Sequence, residues 1–309
     1  MSHYNAGMLD ITLPFAINDF EGRELFAAGS ILNEAAINAI ATQGRQESFA
    51  AGSLLEHGNI QSDLEAFVRA NPYEFIFGGS DDFQGFLQRV GEVAIPLPLL
   101  SALDYFREND FYTYRHSLIV FALTTFMMEK ISLGKAWEKS AFLVGPTHDI
   151  GKRSVPTDIL LKNTPLTRHE RNYLEFHTIS GYVLLSYYFG NHQHPAAQVA
   201  FNHHERRDGS GYPRGIHNLD PLVETVATCD VYDALIASRP YRKGNYDNRA
   251  ALEELSVIAE TGALDMYCVQ TLVGRNRSGH PPPDQVKISL EKRGTPPISN
   301  FYAQVIEEK

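Results

Sequence analysis

The chain has 309 residues, long for one hydrophobic core and comfortable for two, since single domains usually stop growing near ~250 residues. Hydrophobic residues make up 43% and charged residues 21%, the balance of a globular protein rather than a disordered or fibrous one. The formal charge of -10, from 37 acidic against 27 basic residues, argues against binding a nucleic-acid polymer, which needs a basic face, but leaves room for a small anion in a local cationic pocket.

Cys229 and Cys268 are the two cysteines, too few for a disulfide framework or a thiolate metal cage, so reduced thiols in the cytoplasm are the expectation. Met1 to Asn5 has neither the basic lead nor the apolar run of a signal peptide. The most apolar helix-like stretch, Leu118 to Met128, is too short to span a bilayer, so no membrane anchor is expected.

Residues 9 to 45 alternate short apolar runs with turn signals. Asp19-Phe20-Glu21-Gly22-Arg23 is placed to join two strands, and Ala28-Gly29-Ser30 precedes a helical pattern from Asn33 to Ile40, which together read as a small α+β module. Breakers follow at Asn71-Pro72, at Phe77 to Asp82 and at Ile95-Pro96-Leu97-Pro98. The expected organisation is a small N-terminal module over residues 1–90 and a larger, mainly α domain over 91–309.

Beyond Asp110 apolar residues recur at helical spacing, beginning with Leu118, Ile119, Phe121, Ala122, Phe126 and Met127, as in a buried helix. Thr167 with Glu170 forms a capping-box pattern for a helix running toward Leu185. Pro195 suits the first turn of a helix ending near His204, and another helix is expected from Pro221 to Ala237. Asn245 or Asp247 is placed to cap one ending before Gly262, and a strand signal appears at Val286 to Leu290.

Nine of the twelve histidines lie between His116 and His217, a density that points to a use for imidazole. The strongest unit is His148-Asp149 followed by Ile150-Gly151-Lys152. Neighbouring imidazole and carboxylate ligands suit a borderline divalent ion, and a carboxylate can bridge two ions. Gly151 is expected to let the chain turn, and Lys152 brings a cation to the same mouth. On its own a His-Asp pair is more often a helix cap or a surface pair. Its company decides otherwise: His203-His204-Glu205 closes a second apolar segment, His177 ends a third, and His116 begins a fourth. Asp230 sits within apolar Val226 to Leu235, where an unpaired carboxylate is costly and needs a cation or donors. Facing helices that each contribute a ligand are how bundles build metal centres.

The ordered set HDIGK at 148–152, HTISG at 177–181, HHERRDGSGYP at 203–213, DVYDAL at 230–235 and RPYR at 239–242 closely resembles the HD-GYP proteins, a branch of the HD phosphohydrolases, over roughly Asp110 to Arg242. The resemblance implies an HD-type helical bundle with a multinuclear centre, usually of iron or another transition metal such as manganese, that hydrolyses cyclic di-GMP, either to linear pGpG or further to GMP. Carried over by position, it implies one ion on His116, His148, Asp149 and Asp230 and a second on Asp149, His177, His203 and His204, with Asp149 as the bridge. A water held between two ions ~3.5–4 Å apart has a lowered pKa and attacks phosphorus in line. Lys152 is then placed to neutralise a phosphate oxygen, Arg239 and Arg242 to grip phosphate or a guanine edge, and Tyr212 to hydrogen-bond phosphate.

Gly209 and Gly211 are expected to permit unusual backbone angles in a loop that Pro213 stiffens, with Glu205 and Asp208 bracing it. Some family members carry a Glu four residues before the first metal-binding His, where this chain has Tyr112, a poor ligand, so two ions are expected rather than three. Pro146, Ile236 and Glu224 also depart from the family pattern, and Pro146 is expected to kink the segment ahead of His148. The competing role is a receptor or scaffold that binds the nucleotide, or a diguanylate cyclase partner, without useful turnover.

Overall fold

The computed structural model describes residues 10–78, 80–131, 139–237, 244–289, 291–297 and 305–306. The N-terminal part carries short antiparallel pairs: β1 (Asp10–Thr12) with β4 (Ile31–Asn33), and β2 (Ile17–Asn18) with β3 (Glu24–Phe26). Residues 19–23 turn between β2 and β3 as expected, with Gly22 at φ +88°. Asn33 caps α1 (Glu34–Glu47), its side chain accepting from the Ala36 N–H at 2.9 Å. Next come β5 (Ala51–Ser53), α2 (Ile60–Val68), α3 (Glu74–Phe77), α4 (Ser80–Val90) and β6 (Ala94–Pro96), where β5 and β6 pair antiparallel.

The remainder is helical, as expected of a mainly α chain: α5 (Leu97–Asn109), α6 (Phe111–Ile131), α7 (Val144–Thr147), α8 (Thr157–Leu160), β7 (Leu166–Thr167), α9 (Arg168–Glu175), α10 (His177–Tyr188), α11 (Pro195–Asn202), α12 (Pro221–Ile236), α13 (Asn248–Glu260) and α14 (Met266–Arg275). Two 3₁₀ segments, Lys139–Leu143 and Ile150–Ser154, flank α7, and β7 pairs parallel with β8 (Val305–Ile306).

Three helices form the centre. Every residue of α10 is buried, α6 is buried almost continuously from Tyr114 to Met128 except at Arg115, and α12 has no polar face of its own. Such all-round apolar helices are stable only when neighbours cover them on every side. α10 packs on α1, α11 and the Ile150–Ser154 segment, and α12 packs on α6. The N-terminal part is fastened to the C-terminal end of α10. Tyr188 Oη accepts from the Phe20 N–H at 2.9 Å, Tyr187 meets Arg23 and Glu47, and Gly44 lies so close that a Cβ there would be 1.8 Å from the Tyr187 carbonyl oxygen. No helix among the described residues is long and apolar enough to cross a membrane.

Three expectations need correction. The capping box forms, with Thr167 Oγ1 accepting from Glu170 N–H and Glu170 Oε2 from Thr167 N–H, but that helix stops at Glu175. Phe176 separates it from α10, and there the half-exposed α9 gives way to a segment buried on all sides, so His177 opens α10 rather than closing an apolar stretch. Residues 286–289 form no strand. The Val286 carbonyl accepts from the side-chain Nε2 of Gln270 at 3.2 Å, its side chain packs on Gly274, and the run of prolines before it supplies no ladder donors; Leu290 lies outside the described residues. The stretch before His148 is a 3₁₀ segment followed by a single α turn, and 3₁₀ resumes after Asp149, a break of the kind expected at Pro146. Gly145 lets this broken segment lie against α6, since a Cβ there would be 2.5 Å from Phe121 Cα.

Candidate metal centre

The break at α7 places His148 and Asp149 at the turn, buried and facing the ends of three other helices. His177 opens α10, His203 and His204 follow the last turn of α11, His116 sits one turn into α6, and Asp230 lies midway along α12. The structure brings these seven residues together. Four imidazole Nε2 atoms surround the Asp149 carboxylate: His148 at 3.4 Å and His116 at 3.7 Å from Oδ2, and His177 at 3.3 Å and His203 at 3.7 Å from Oδ1. Asp230 joins through His116, whose Nε2 is 3.0 Å from Asp230 Oδ1, and its Oδ2 lies 3.9 Å from His204 Nδ1. The donor atoms fall into two compact groups, Asp149-His177-His203-His204 and His116-His148-Asp149, with Asp149 in both.

What aims these nitrogens inward is the other side of each ring. Nδ1 of His148 lies 2.7 Å from the Gly145 carbonyl oxygen, that of His177 is 2.6 Å from Leu174 O, and that of His203 is 3.0 Å from Ala200 O. A carbonyl only accepts, so each Nδ1 carries the proton and each Nε2 presents a lone pair. His177 and His203 therefore face each other with Nε2 atoms 3.3 Å apart, and His148 Nε2 is buried without a hydrogen-bond partner. Lone pairs that converge on a carboxylate in a buried pocket call for a cation, and imidazole with carboxylate is a donor set that transition metals accept. The residues present fit two divalent ions sharing Asp149.

The electrostatics agree for three of the rings. Burial pushes His177 down to about 3 and His148 to about 4, and it holds His204 well below the usual imidazole range, so these rings are neutral at neutral pH. Burial alone would also lower His116, but its bonds to Asp230 and Asp233 outweigh that and raise it to about 9. Burial works against ionisation of Asp149, yet Lys152 and the surrounding imidazoles hold it well below the carboxylate range. Lys152 Nζ is 2.5 Å from Asp149 Oδ2. Tyr212 stacks on His204, with centroids 4.7 Å apart, at the rim. Arg239 and Arg242 lie outside the described residues. Tyr112 stacks on His116 at 5.7 Å, at the position where a further carboxylate would have stood.

The rim loop is braced from inside. Buried Glu205 accepts from the N–H groups of Arg214 at 2.7 Å and Ile216 at 3.1 Å, and Asp208 accepts from Ser210. Gly209 adopts φ +78° as expected. Gly211 and Gly151 have another reason to be glycine, which is close approach. A Cβ on Gly211 would lie 2.4 Å from the His204 carbonyl oxygen, and one on Gly151 would lie 1.9 Å from His177 O, so Gly151 allows the His148-Asp149 turn to touch the start of α10.

Sequence reasoning missed Asp233. Its Oδ2 is 2.6 Å from His116 Nδ1, replacing the carbonyl that orients each of the other rings, and Tyr73 donates its hydroxyl to Oδ1. The signal was present in the sequence: Asp233 follows Asp230 by three residues on an apolar helix, hence on the same face and equally in need of donors.

A family model described as an HD domain matches residues 104–267, more than half of the chain. The chain belongs to the HD-domain family. The motifs of the HD-GYP resemblance fall inside this match. The HD-domain chain is 39% identical over 153 residues to a cyclic di-GMP phosphodiesterase of Pseudomonas aeruginosa, covering 48% of this chain and 36% of that protein. It is 35% identical over 148 residues to a cyclic di-GMP phosphodiesterase of Thermotoga maritima, covering 47% and 40%. It is also 37% identical over 164 residues to a 3'3'-cGAMP-specific phosphodiesterase of Vibrio cholerae, covering 52% and 37%. The matched stretches thus span well under half the length of these relatives.

Proposed function

We propose that this HD domain is a metal-dependent phosphodiesterase that opens cyclic di-GMP to linear pGpG. One observation carries the reading: four Nε2 atoms, three of them fixed as lone-pair donors by backbone carbonyls, converge on the two oxygens of one buried aspartate. Two transition-metal ions, iron or manganese, would be held by His116, His148, Asp149 and Asp230 and by Asp149, His177, His203 and His204; when bound they supply a nucleophile at neutral pH and neutralise charge on the phosphoryl oxygens.

The chain's own residues do the rest. Asp149 supplies the anionic charge between the two positions, and the carbonyls of Gly145, Leu174 and Ala200 fix the rings at their set angles. Lys152, anchored on Asp149 at the mouth, turns its ammonium toward a phosphate oxygen. Tyr212, held flat on His204, offers a phenol to the phosphate, and Arg239 and Arg242 grip phosphate or guanine. The burial of the His116, His148, His177 and His203 rings keeps bulk water from competing for these positions.

The relative from Vibrio cholerae favours a second substrate, 3'3'-cGAMP, which shares the cyclic dinucleotide backbone. Anaerobic reconstitution with iron or manganese, followed by chromatography of products from cyclic di-GMP, 3'3'-cGAMP and dGTP in competition, tests the reading. Linear dinucleotide from cyclic di-GMP is expected. Tight binding without product under both metals would instead make the protein a receptor or a scaffold for a diguanylate cyclase, and preferred turnover of dGTP would sink the cyclic dinucleotide assignment.

A further inference from the structure

The three rings with carbonyl-anchored Nδ1 atoms take their orientation from their own backbone turns, and His116 does not. Its Nδ1 is held by the Asp233 carboxylate, a side chain that rotates unless its other oxygen is also fixed. That oxygen is fixed from far away in sequence. Tyr73, fully buried just ahead of α3, donates its hydroxyl to Asp233 Oδ1. The guanidinium of Arg115 lies 3.6 Å from the same oxygen and 5.6 Å from the centroid of the Tyr73 ring, so the ring also keeps this cation in place. The far edge of Tyr73 rests on Tyr232 of α12, with centroids 6.4 Å apart. α3 is tied down in turn by Arg275 of α14, whose Nε donates to the Ile76 carbonyl at 2.9 Å.

Tyr73 lies outside residues 104–267, the stretch that matches the HD domain, yet it completes the outer support of one candidate ligand. We infer that Tyr73 is a positioning residue: through Asp233 it fixes the His116 imidazole and so sets the affinity of the metal position that His116 serves, which makes the N-terminal part of the chain a component of the centre. The inference rests on the metal reading above. It also separates the two positions, because the supports of His177 and His203 run through Leu174 and Ala200 and do not involve Tyr73.

The test uses the full chain, loaded with Mn(II) or Zn(II), and chelator competition to resolve the two affinities. Tyr73→Phe keeps the ring beneath Arg115 and removes only the hydroxyl. Its expected effect is a roughly tenfold weaker affinity at one position, the low end for outer partners of metal ligands, with the other unchanged. Asp233→Asn should weaken the same position further, by up to about 100-fold, and decides the matter should Tyr73→Phe fail to fold. Histidine-selective ¹⁵N NMR on the zinc form supplies a second readout, with the His116 Nδ1 proton exchanging faster in Tyr73→Phe while those of His148, His177 and His203 stay protected. Unchanged affinity at both positions in a folded variant overturns the relay, as does equal weakening of both. Wild-type protein that takes up neither metal overturns the metal reading, and the relay with it.

Discussion

Replacing Gly151 by alanine probes the contact on which the geometry of the site depends. The added methyl would lie 1.9 Å from the His177 carbonyl oxygen, 2.5 Å from Gly181 N and 2.8 Å from Ser180 Oγ, against 3.4 Å for ordinary contact. Two of the three neighbours are backbone atoms and cannot rotate away, so either the His148-Asp149 turn or the start of α10 must withdraw by roughly 1 Å or more. Overpacking a core typically costs about 1–3 kcal/mol, and the upper end applies where backbone blocks the way; a chain of this size would lose roughly 5–10 °C in Tm. The same withdrawal separates His177 from Asp149, now 3.3 Å apart, whereas metal–ligand distances tolerate about 0.2 Å. Gly181→Ala is the internal comparison, since the nearest atoms to its methyl would be Ala200 Cβ at 3.3 Å, Gly151 N at 3.4 Å and Gly151 Cα at 3.6 Å. Thermal unfolding with metal analysis should show Gly151→Ala destabilised and short of metal at the position served by His177, with Gly181→Ala much closer to wild type. Wild-type Tm and full occupancy in Gly151→Ala would refute the close-approach argument.

His194 caps α11, the helix ending at the His203-His204 pair: its neutral Nδ1 accepts from Ala196 N–H at 3.2 Å while the ring stacks on Phe189 at 3.9 Å, and burial pushes it down to about 4. His194→Ala should cost about 1 kcal/mol at pH 8. Because the folded pKa lies below the unfolded one, that advantage is present above about 6.5 and is lost as pH falls through about 4; a difference in denaturation midpoints that does not change with pH would contradict this. Glu224 shows the opposite sign. Burial, then the neighbouring Asp265 carboxylate, push it up to about 7 against the pull of Arg207 at 3.1 Å. Its contribution is complete below about 4.5 and lost as pH rises through about 7, so Glu224→Gln should be more stable than wild type at pH 8, by about 1–2 kcal/mol, and similar at pH 4.5. A variant weaker at pH 8 would mean that the Arg207 pair outweighs burial.

Much of the site was legible because its chemistry is written in residue types. The seven His and Asp positions stand out as polar residues at the ends or in the middle of apolar segments, and each such placement demands a partner. The Thr167 capping box and the Pro195 and Pro221 helix starts were legible for the same local reason. What depends on tertiary approach was not. The glycines of 148–152 and 203–213 were expected to serve backbone angles, but Gly151 and Gly211 serve contact with chain distant in sequence or folded back on itself. The division between α9 and α10 at Phe176 reflects burial, which periodicity across the boundary does not report. Val286 to Leu290 has the composition of a strand, but composition does not provide a neighbouring strand. The Tyr73–Asp233 contact joins residues 160 positions apart, beyond any local pattern.

The bridging role of Asp149 is tested most directly by metal content. Wild type, Asp149→Ala and His116→Ala, each reconstituted anaerobically with iron or manganese, should be analysed for metal stoichiometry and for anomalous scattering in crystals. Two divalent ions a few ångströms apart repel strongly and need an anion between them. Wild type should therefore hold two ions, Asp149→Ala neither, and His116→Ala should be weakened mainly at one. Two ions retained in Asp149→Ala, or three fully occupied sites in wild type, would contradict a binuclear centre built on this aspartate.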